Sequence, residues 1–406
     1  MPVSDRHREV LTAGLAELLR RAALDGWVVF TREASVDPVA PYVGAERAVA
    51  RLACLFGRID GALARVAICA SYDTTPLEES GLYQRIVPYG SEGAKPHLRE
   101  WLGRLQGSRI GLDASRDIPM ADGLAAGMRG YLEESVGSEL AGRFVSAERL
   151  VVDLVGSRSP EEVAILSEAV LRTQRIARAA LVAEHVRAGR TTERELGAVM
   201  TRMTEAGGDV VEFLSINVGP TRGHSDPTDR IVAPGDVLRI DFGIRHRGLC
   251  SDIQRTAYVL APGETAPPEA ITRMWRVNRA AYRAALGALR PGATGLDVDR
   301  AARAVVEGAG YAGYPHAAGH ALGTRVHEVG PILGPDWPER YGTTVHLPIL
   351  EGQVFAVEPM VYGPDPRSGE PIHMGVEHDV VITADGCRLI GEDQEEIWLI
   401  DGGATR

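Results

Sequence analysis

Four carboxylates stand inside segments whose other residues are mostly apolar, as in buried strands. Asp241 lies in the run LRIDFG, Asp252 in CSDIQRT, Glu358 in VFAVEP and Glu377 in GVEHDVVI. A carboxylate buried alone is destabilising, and two packed together repel unless they share a proton or a cation. Either aspartate alone could be a solvated strand end, but the four together favour a cation site.

Asp241 and Asp252 are expected to meet in one hairpin. They are eleven residues apart, and residues 245–248 between them read as a turn. Two strands joined by that turn would place the two carboxylates side by side.

Three of the eleven histidines, His316, His320 and His327, cluster among glycines, which indicates a site. No glutamate follows His316 and the glycines disfavour a helix, so a helical zinc motif is excluded. Oxygen donors with one imidazole suit Mn²⁺, Co²⁺, Fe²⁺ or Zn²⁺. Two such ions would generate a bound hydroxide near neutral pH and polarise a carbonyl.

The composition is typical of a soluble protein with more than one domain. The chain has 406 residues and a net charge of −11, which argues against binding to nucleic acid or to a membrane surface. No apolar run approaches the roughly 18 residues of a membrane span, and the polar N-terminus shows no secretory signal. The four cysteines are far apart, so a disulfide framework or thiolate zinc site is not expected. We expect a cytoplasmic enzyme or a large binding protein.

Two domains are predicted, residues 1–155 and 156–406. Ser159, Pro160 and Glu162 form the pattern of a helix start, and a helical apolar spacing follows them. The segments before this boundary alternate as in an α/β domain. Helices are expected at residues 5–24, 43–56 and 95–105, and strands at 27–30, 65–70 and 109–112.

The second domain contains a weak repeat followed by strands. Residues 187–207 and 290–310 match at six positions, and each copy starts a helix with a threonine followed by an acid, Glu195 or Asp297. A duplicated unit with a ligand site between its halves is indicated. Mostly antiparallel strands, and hence an α+β domain, are expected from residues 210–216, 237–243, 253–259, 353–359 and 376–383.

Five segments, in this order, resemble the pita-bread metallopeptidases: methionine aminopeptidase, prolidase and aminopeptidase P, with creatinase as a metal-free relative. They read DFG, SDIQRT, HAAGHALGTRVHE, VFAVEPMVY and GVEHDVVIT. The resemblance covers roughly residues 150–400. It implies an α+β pita-bread catalytic domain that follows a smaller α/β N-terminal domain of the creatinase type.

The same resemblance implies a dinuclear metal site. Its ligands would be Asp241, Asp252, His320, Glu358 and Glu377, with Asp252 and Glu377 bridging the two ions. We favour Mn²⁺ over Co²⁺, Zn²⁺ or Fe²⁺ as the divalent cation. Glu358 would also relay the proton of the attacking water.

The resemblance also assigns roles around the metals. His224 would lie near the scissile group, and His327 would donate to the substrate carbonyl or the tetrahedral intermediate, where charge develops. His316 is similar to a residue of the prolidase and aminopeptidase P branch and is expected to bind substrate. Prolyl-specific members usually carry arginine two residues before the last glutamate, where this chain has Gly375. Residues 337–347 read as an insertion that faces the site.

The leading prediction is a metal-dependent Xaa-Pro peptidase of the aminopeptidase P or prolidase type. It would hydrolyse the bond before proline in a small peptide, through a dinuclear metal-bound hydroxide, and would form a homodimer. The alternative is a creatinase-like hydrolase or lyase that acts on a small non-peptide C–N or C–S substrate. Gly375 favours this alternative, whereas the intact Asp241 and Asp252 disfavour a metal-free version of it. A module that only binds ligands would show degenerate metal positions, and none of the five is degenerate.

Overall fold

The computed structural model describes residues 4–223 and 225–402, which form two compact units, Met1–Gly156 and Ser157–Arg406. Within the described residues, no helix combines the length and the apolar character needed to cross a bilayer.

The first unit is built on one mixed six-stranded sheet. Its strands are β1 (Gly26–Thr31), β2 (Leu52–Ile59), β3 (Ala62–Ala70), β4 (Arg85–Tyr89), β5 (Ile110–Leu112) and β6 (Phe144–Ser146). Its helices are α1 (Asp5–Thr12), α2 (Leu15–Arg21), α3 (Thr74–Ser80), α4 (Lys95–Arg104), α5 (Ala126–Val136), α6 (Ser138–Ala141) and α7 (Glu148–Val155). The strand order is β4-β3-β2-β1-β5-β6, with β1, β2 and β3 antiparallel and the other pairings parallel. Apolar side chains of α4 and α5 share a core with this sheet.

The helix expected at residues 43–56 is wrong. A 3₁₀ turn ends at Val43, and β2 pairs with β1 on one edge and β3 on the other. The run Leu52–Phe56 is buried throughout, and an unbroken apolar run fits a buried strand as well as a helix. The helix expected at 5–24 is in fact α1 and α2, separated at Ala13–Gly14.

The second unit combines long helices with three small sheets. Its helices are α8 (Pro160–Ala180), α9 (Glu193–Ala206), α10 (Glu269–Ala288), α11 (Gly295–Gly308) and α12 (Pro338–Tyr341). Its strands are β7 (Val210–Val218), β8 (Val237–His246), β9 (Leu249–Cys250), β10 (Ile253–Leu260), β11 (Gly319–Ala321), β12 (Val354–Val357), β13 (Met360–Pro364), β14 (Pro371–Gly375), β15 (His378–Thr383), β16 (Gly386–Leu389) and β17 (Trp398–Asp401). The sheets have the orders β17-β10-β8-β7, β11-β12-β15-β16 and β13-β14, and β9 pairs with β8.

The predicted helix starts of the second unit are confirmed. Ser159 and Glu162 form a reciprocal capping box at the start of α8. The two repeat copies do the same, with Glu195 capping α9 and Asp297 capping α11. Each box satisfies two backbone N–H groups that a helix start leaves without a partner.

Strand β8 positions the first candidate ligand by alternation. Ile240 and Phe242 lie in one core with Leu166 and Val170 of α8. Successive side chains of a strand point to opposite faces, so Asp241 points away from α8.

The hairpin after β8 is confirmed, but its register differs from the expectation. Arg247 and Gly248 form a two-residue turn with φ of 49° and 88°, the conformation of a tight hairpin turn. In this register Gln254, not Asp252, is directly opposite Asp241. Asp252 lies in the irregular segment just before β10.

Candidate metal centre

All five predicted metal ligands lie in the second unit, on strands or next to strand ends. Asp241 is in β8 and His320 is in β11. Asp252 precedes β10, Glu358 follows β12, and Glu377 precedes β15. Side chains at such places are held by backbone that is already fixed in a sheet.

Asp252, His320 and Glu377 form a compact group of ligand atoms. One atom from each lies within 4.8 Å of the other two, and all three residues are buried. The His320 Nε2 atom is 3.4 Å from the Asp252 Oδ2 atom. Two carboxylate oxygens and one imidazole nitrogen are suitable donors for Mn²⁺, Co²⁺, Fe²⁺ or Zn²⁺.

The tautomer of His320 is set by its backbone. Its Nδ1 atom lies 3.2 Å from the carbonyl oxygen of Ala321, which can only accept a hydrogen bond. Nδ1 therefore carries a proton, which leaves Nε2, directed toward Asp252, as the atom that a metal could bind. This is the usual arrangement of a metal-binding histidine.

The buried carboxylates leave oxygens that a cation could satisfy. Asp252 Oδ1 and Glu377 Oε2 are buried and have no hydrogen-bond partner among the described residues. Burial, together with the charge of Asp241, raises the pKa of Asp252 well above its usual range. Burial and the charge of Asp252 do the same to the pKa of Glu377. A divalent cation fits this group because it would neutralise the mutual repulsion.

Glu358 lies beside this group. Its Oε1 atom is 3.9 Å from His320 Nε2. Burial raises the pKa of Glu358 to about 8, with the charge of Asp241 adding to the effect and that of His320 opposing it. A buried carboxyl group whose pKa is raised is suited to accept and return a proton.

A cavity of about 520 Å³ opens onto these side chains. Its walls include all five predicted ligands, together with Gln254 and His327. His327 is exposed, and its ring centroid lies 4.3 Å from that of His320. The structure therefore places one predicted catalytic histidine at the cavity.

The remaining predicted site residues are not among the described residues that line the cavity. His224 lies outside the described residues. His316 is not among the described lining residues; its Nδ1 donates to the carbonyl of Ala317 at 2.7 Å, and its role in substrate binding stays a prediction. No residue of 337–347 is among the described lining residues either, and the expectation that this insertion faces the site stays a prediction. Trp337 stacks on Tyr341.

Three buried side chains that support the site were missed from the sequence. Gln254 donates from Nε2 to Asp241 Oδ2 at 3.3 Å and to Glu358 Oε2 at 3.0 Å. Arg239 donates to Gln254 Oε1 at 2.7 Å, and Asp379 Oδ2 accepts from the backbone N–H of Asp252 at 3.0 Å. The signal for Arg239 was its place two residues before Asp241 in the same strand, where both side chains point to one face.

The fold is shared with solved structures along almost the whole chain. The dipeptidase PepE from Mycobacterium ulcerans has a TM-score of 0.72 at 22% identity, covering 98% of this chain and 99% of that one. The X-Pro aminopeptidase from Thermotoga maritima has a TM-score of 0.64 at 22% identity, with 94% and 99% covered. The class is therefore a pita-bread protein that carries an additional N-terminal α/β domain.

The sequence signature of metallopeptidase family M24 matches residues 164–384, more than half of the chain. This chain belongs to metallopeptidase family M24. An Xaa-Pro dipeptidase of Lactobacillus delbrueckii subsp. lactis is 33% identical over 178 residues, 44% of this chain and 43% of that protein. An Xaa-Pro dipeptidase of Pyrococcus furiosus is 28% identical over 261 residues, 63% of this chain and 68% of that protein. An uncharacterized peptidase of Bacillus subtilis is 32% identical over 179 residues, 44% of this chain and 45% of that protein. The match thus spans less than half of the Lactobacillus and Bacillus relatives.

Proposed function

We propose that this chain is a metal-dependent Xaa-Pro peptidase that hydrolyses the bond before proline in small peptides. The observation that carries the proposal is the buried Asp252, His320 and Glu377 group on the wall of an open cavity. The relatives named Xaa-Pro dipeptidases support the same substrate class.

Asp241 and Glu358 would complete, with Asp252, His320 and Glu377, the set of residues that hold two divalent ions. When bound, such ions supply an acidified water and polarise a carbonyl. Glu358 would hold the proton taken from the water and return it to the leaving amine. His327, exposed at the cavity, would donate to the substrate carbonyl oxygen as charge develops there.

The rest of the cavity has surfaces for a peptide. Phe213, Leu214 and Val326 give an apolar wall that suits a substrate side chain. Asp226 also lines the cavity and offers a carboxylate to a free amino terminus. We propose this combination as the binding surface for an unprotected N-terminal residue.

The test is hydrolysis of several Xaa-Pro dipeptides and one Xaa-Pro-Yaa tripeptide, with added Mn²⁺ and again after chelation. Metal-dependent cleavage supports the proposal, and the ratio of dipeptide to tripeptide turnover separates prolidase from aminopeptidase P activity. Asp252→Ala should abolish turnover and metal binding while leaving the far-ultraviolet circular dichroism unchanged. Full turnover by that variant would overturn the metal mechanism.

A non-peptide C–N or C–S substrate is the second candidate, favoured by Gly375. Gln254 and Met360 leave little room for a side chain at position 375: a Cβ atom there would lie 3.3 Å from Gln254 Oε1 and 3.2 Å from Met360 Cγ. Metal binding without cleavage of any peptide in the panel would favour this candidate.

We also propose Mn²⁺ as the cation, a homodimer as the assembly and the cytoplasm as the location. Metal analysis of protein purified without added metal, sedimentation velocity and cell fractionation test these three points separately.

A further inference from the structure

One amide group connects two of the candidate metal ligands. The Gln254 NH₂ group lies between Asp241 and Glu358 and donates to one oxygen of each. Gln254 is 1% exposed although it borders the cavity. The contact leaves Glu358 Oε1 on the side of His320, where a cation would lie.

The orientation of this amide is fixed by Arg239. A guanidinium can only donate hydrogen bonds, and Arg239 Nη1 is 2.7 Å from Gln254 Oε1. The amide oxygen must therefore face Arg239, which leaves both N–H donors for the carboxylates. Arg239 is 2% exposed and also contacts the Met360 sulfur at 3.9 Å.

Gly375 provides the space for this arrangement. Gln254 Oε1 and Met360 Cγ, at 3.3 and 3.2 Å from the position of a Cβ atom on Gly375, leave little room for a side chain. The glycine, the amide and the guanidinium thus form one packed unit behind Asp241 and Glu358.

We propose that Gln254, oriented by Arg239, is a positioning residue on which the binding of a second divalent ion depends. The inference rests on the proposed function. Asp252, His320 and Glu377 already offer three ligand atoms to one cation without using the Gln254 side chain. Under the proposed function Asp241 would help to hold the second cation, and Gln254 donates a hydrogen bond to both Asp241 and Glu358. Partners that orient metal ligands typically contribute 10–100-fold to affinity.

The experiment is a Mn²⁺ titration of the full chain, recorded by calorimetry and by electron paramagnetic resonance. The wild-type protein should bind two ions and show an exchange-coupled signal at two equivalents. Gln254→Met preserves length but removes the donor; it should weaken the second binding step by about 10–100-fold and the first by less than about threefold. Gln84→Met is the matched control, because Gln84 is exposed in the first unit, where its side-chain oxygen accepts from the Arg65 backbone N–H.

A comparison of the single variants with the double variant tests whether Arg239 acts through Gln254. If it acts through Gln254, Arg239→Met should weaken the second step about as much as Gln254→Met, and the double variant should be no weaker than either. Arg239→Lys keeps a donor and should retain more of the second-step affinity than Arg239→Met. Gln254→Asn, whose amide is one methylene shorter, should also weaken the second step and serves if Gln254→Met does not fold.

An unchanged second step in the Gln254 variants, or equal weakening of both steps, would overturn the inference. A wild-type chain that binds only one ion would overturn it too, whatever its activity. A wild-type chain that binds two ions but cleaves no Xaa-Pro peptide would instead refute the proposed function. The titration of the Gln254 variants would still decide the role of Gln254 in metal binding.

Discussion

Single side chains decide whether the cavity can act as a catalytic site, and His327 is an exposed one. It is exposed, lines the cavity and lies next to the His320 ring. If it stabilises charge on the substrate oxygen, His327→Ala should lower kcat by roughly 10²–10³-fold while changing KM little. Steady-state kinetics on an Xaa-Pro dipeptide measures both. His346→Ala is the control, since His346 is an exposed histidine outside the described cavity wall. An unchanged kcat would remove His327 from the mechanism.

A buried carboxyl pair in the first unit makes stability depend on pH. Asp37 is 0% exposed, and burial raises its pKa to about 6, against the opposing hydrogen bond from the Val39 backbone. Burial and the charge of Asp37 also raise the pKa of Asp113 well above its usual range. A folded pKa above the unfolded value means that the neutral form favours folding. The stabilisation is fully present below about pH 4 and is lost as the pH rises through about 6.

Asp37→Asn should therefore be more stable than the wild type at pH 7–8, by roughly 1–3 kcal/mol, and nearly equal to it at pH 4. Urea unfolding of both proteins across this range gives the difference directly, and contributions from the metal-site carboxylates cancel in it. Glu33→Gln, in the same loop and exposed, is the control variant. A flat profile for Asp37→Asn would contradict the burial argument.

At the scale of elements, the packing of β14 against β10 and β13 places Gly375 beside Gln254. Gly375 of β14 pairs with Met360 of β13, and an added Cβ atom would press on both Met360 and Gln254. Gly375→Ala should shift the Gln254 amide by a few tenths of an ångström and lower Mn²⁺ affinity by up to about tenfold, less than full loss of an orienting partner. Gly386→Ala is the control, since a Cβ atom at that strand glycine meets nothing within 4 Å. Equal Mn²⁺ affinities in the two variants would contradict the prediction, because they would show that a methyl group fits beside Gln254 without moving its amide.

The same strands show why part of the site was predictable and part was not. Asp241, Asp252, Glu358 and Glu377 were visible because a carboxylate in an apolar strand is costly without a partner. Gln254 could not be recognised in this way, because an uncharged polar residue is common in strands. Its role depends on the strand register, which places it opposite Asp241. The hairpin itself was predicted from its turn, but a shift of two residues between Asp252 and Gln254 decides which side chain meets Asp241.

For the fold, too, local patterns were predictable from the sequence and strand pairings were not. The capping boxes of α8, α9 and α11 are local patterns, and the structure confirms them. The expectation of a helix at β2 is wrong because the apolar run carries no period and its pairing partners are supplied by distant parts of the chain. Local signals therefore define where helices begin, whereas central strands are defined by contacts that the sequence does not display.

At the scale of the molecule, metal binding should stabilise one unit and not the other. The candidate ligands all lie in the second unit, on or beside strands of two of its sheets, and a bound cation would relieve their mutual repulsion. A ligand that binds only the folded state stabilises it by about 2.7 kcal/mol at a hundredfold excess over Kd. Hydrogen exchange with mass spectrometry, with and without Mn²⁺, shows in which segments this stabilisation appears. Protection should rise in peptides from β8, β10, β12 and β15, and stay constant in peptides from β1, β2 and β3. Asp252→Ala should lose the increase, and an equal rise in both units would contradict a metal site confined to the second.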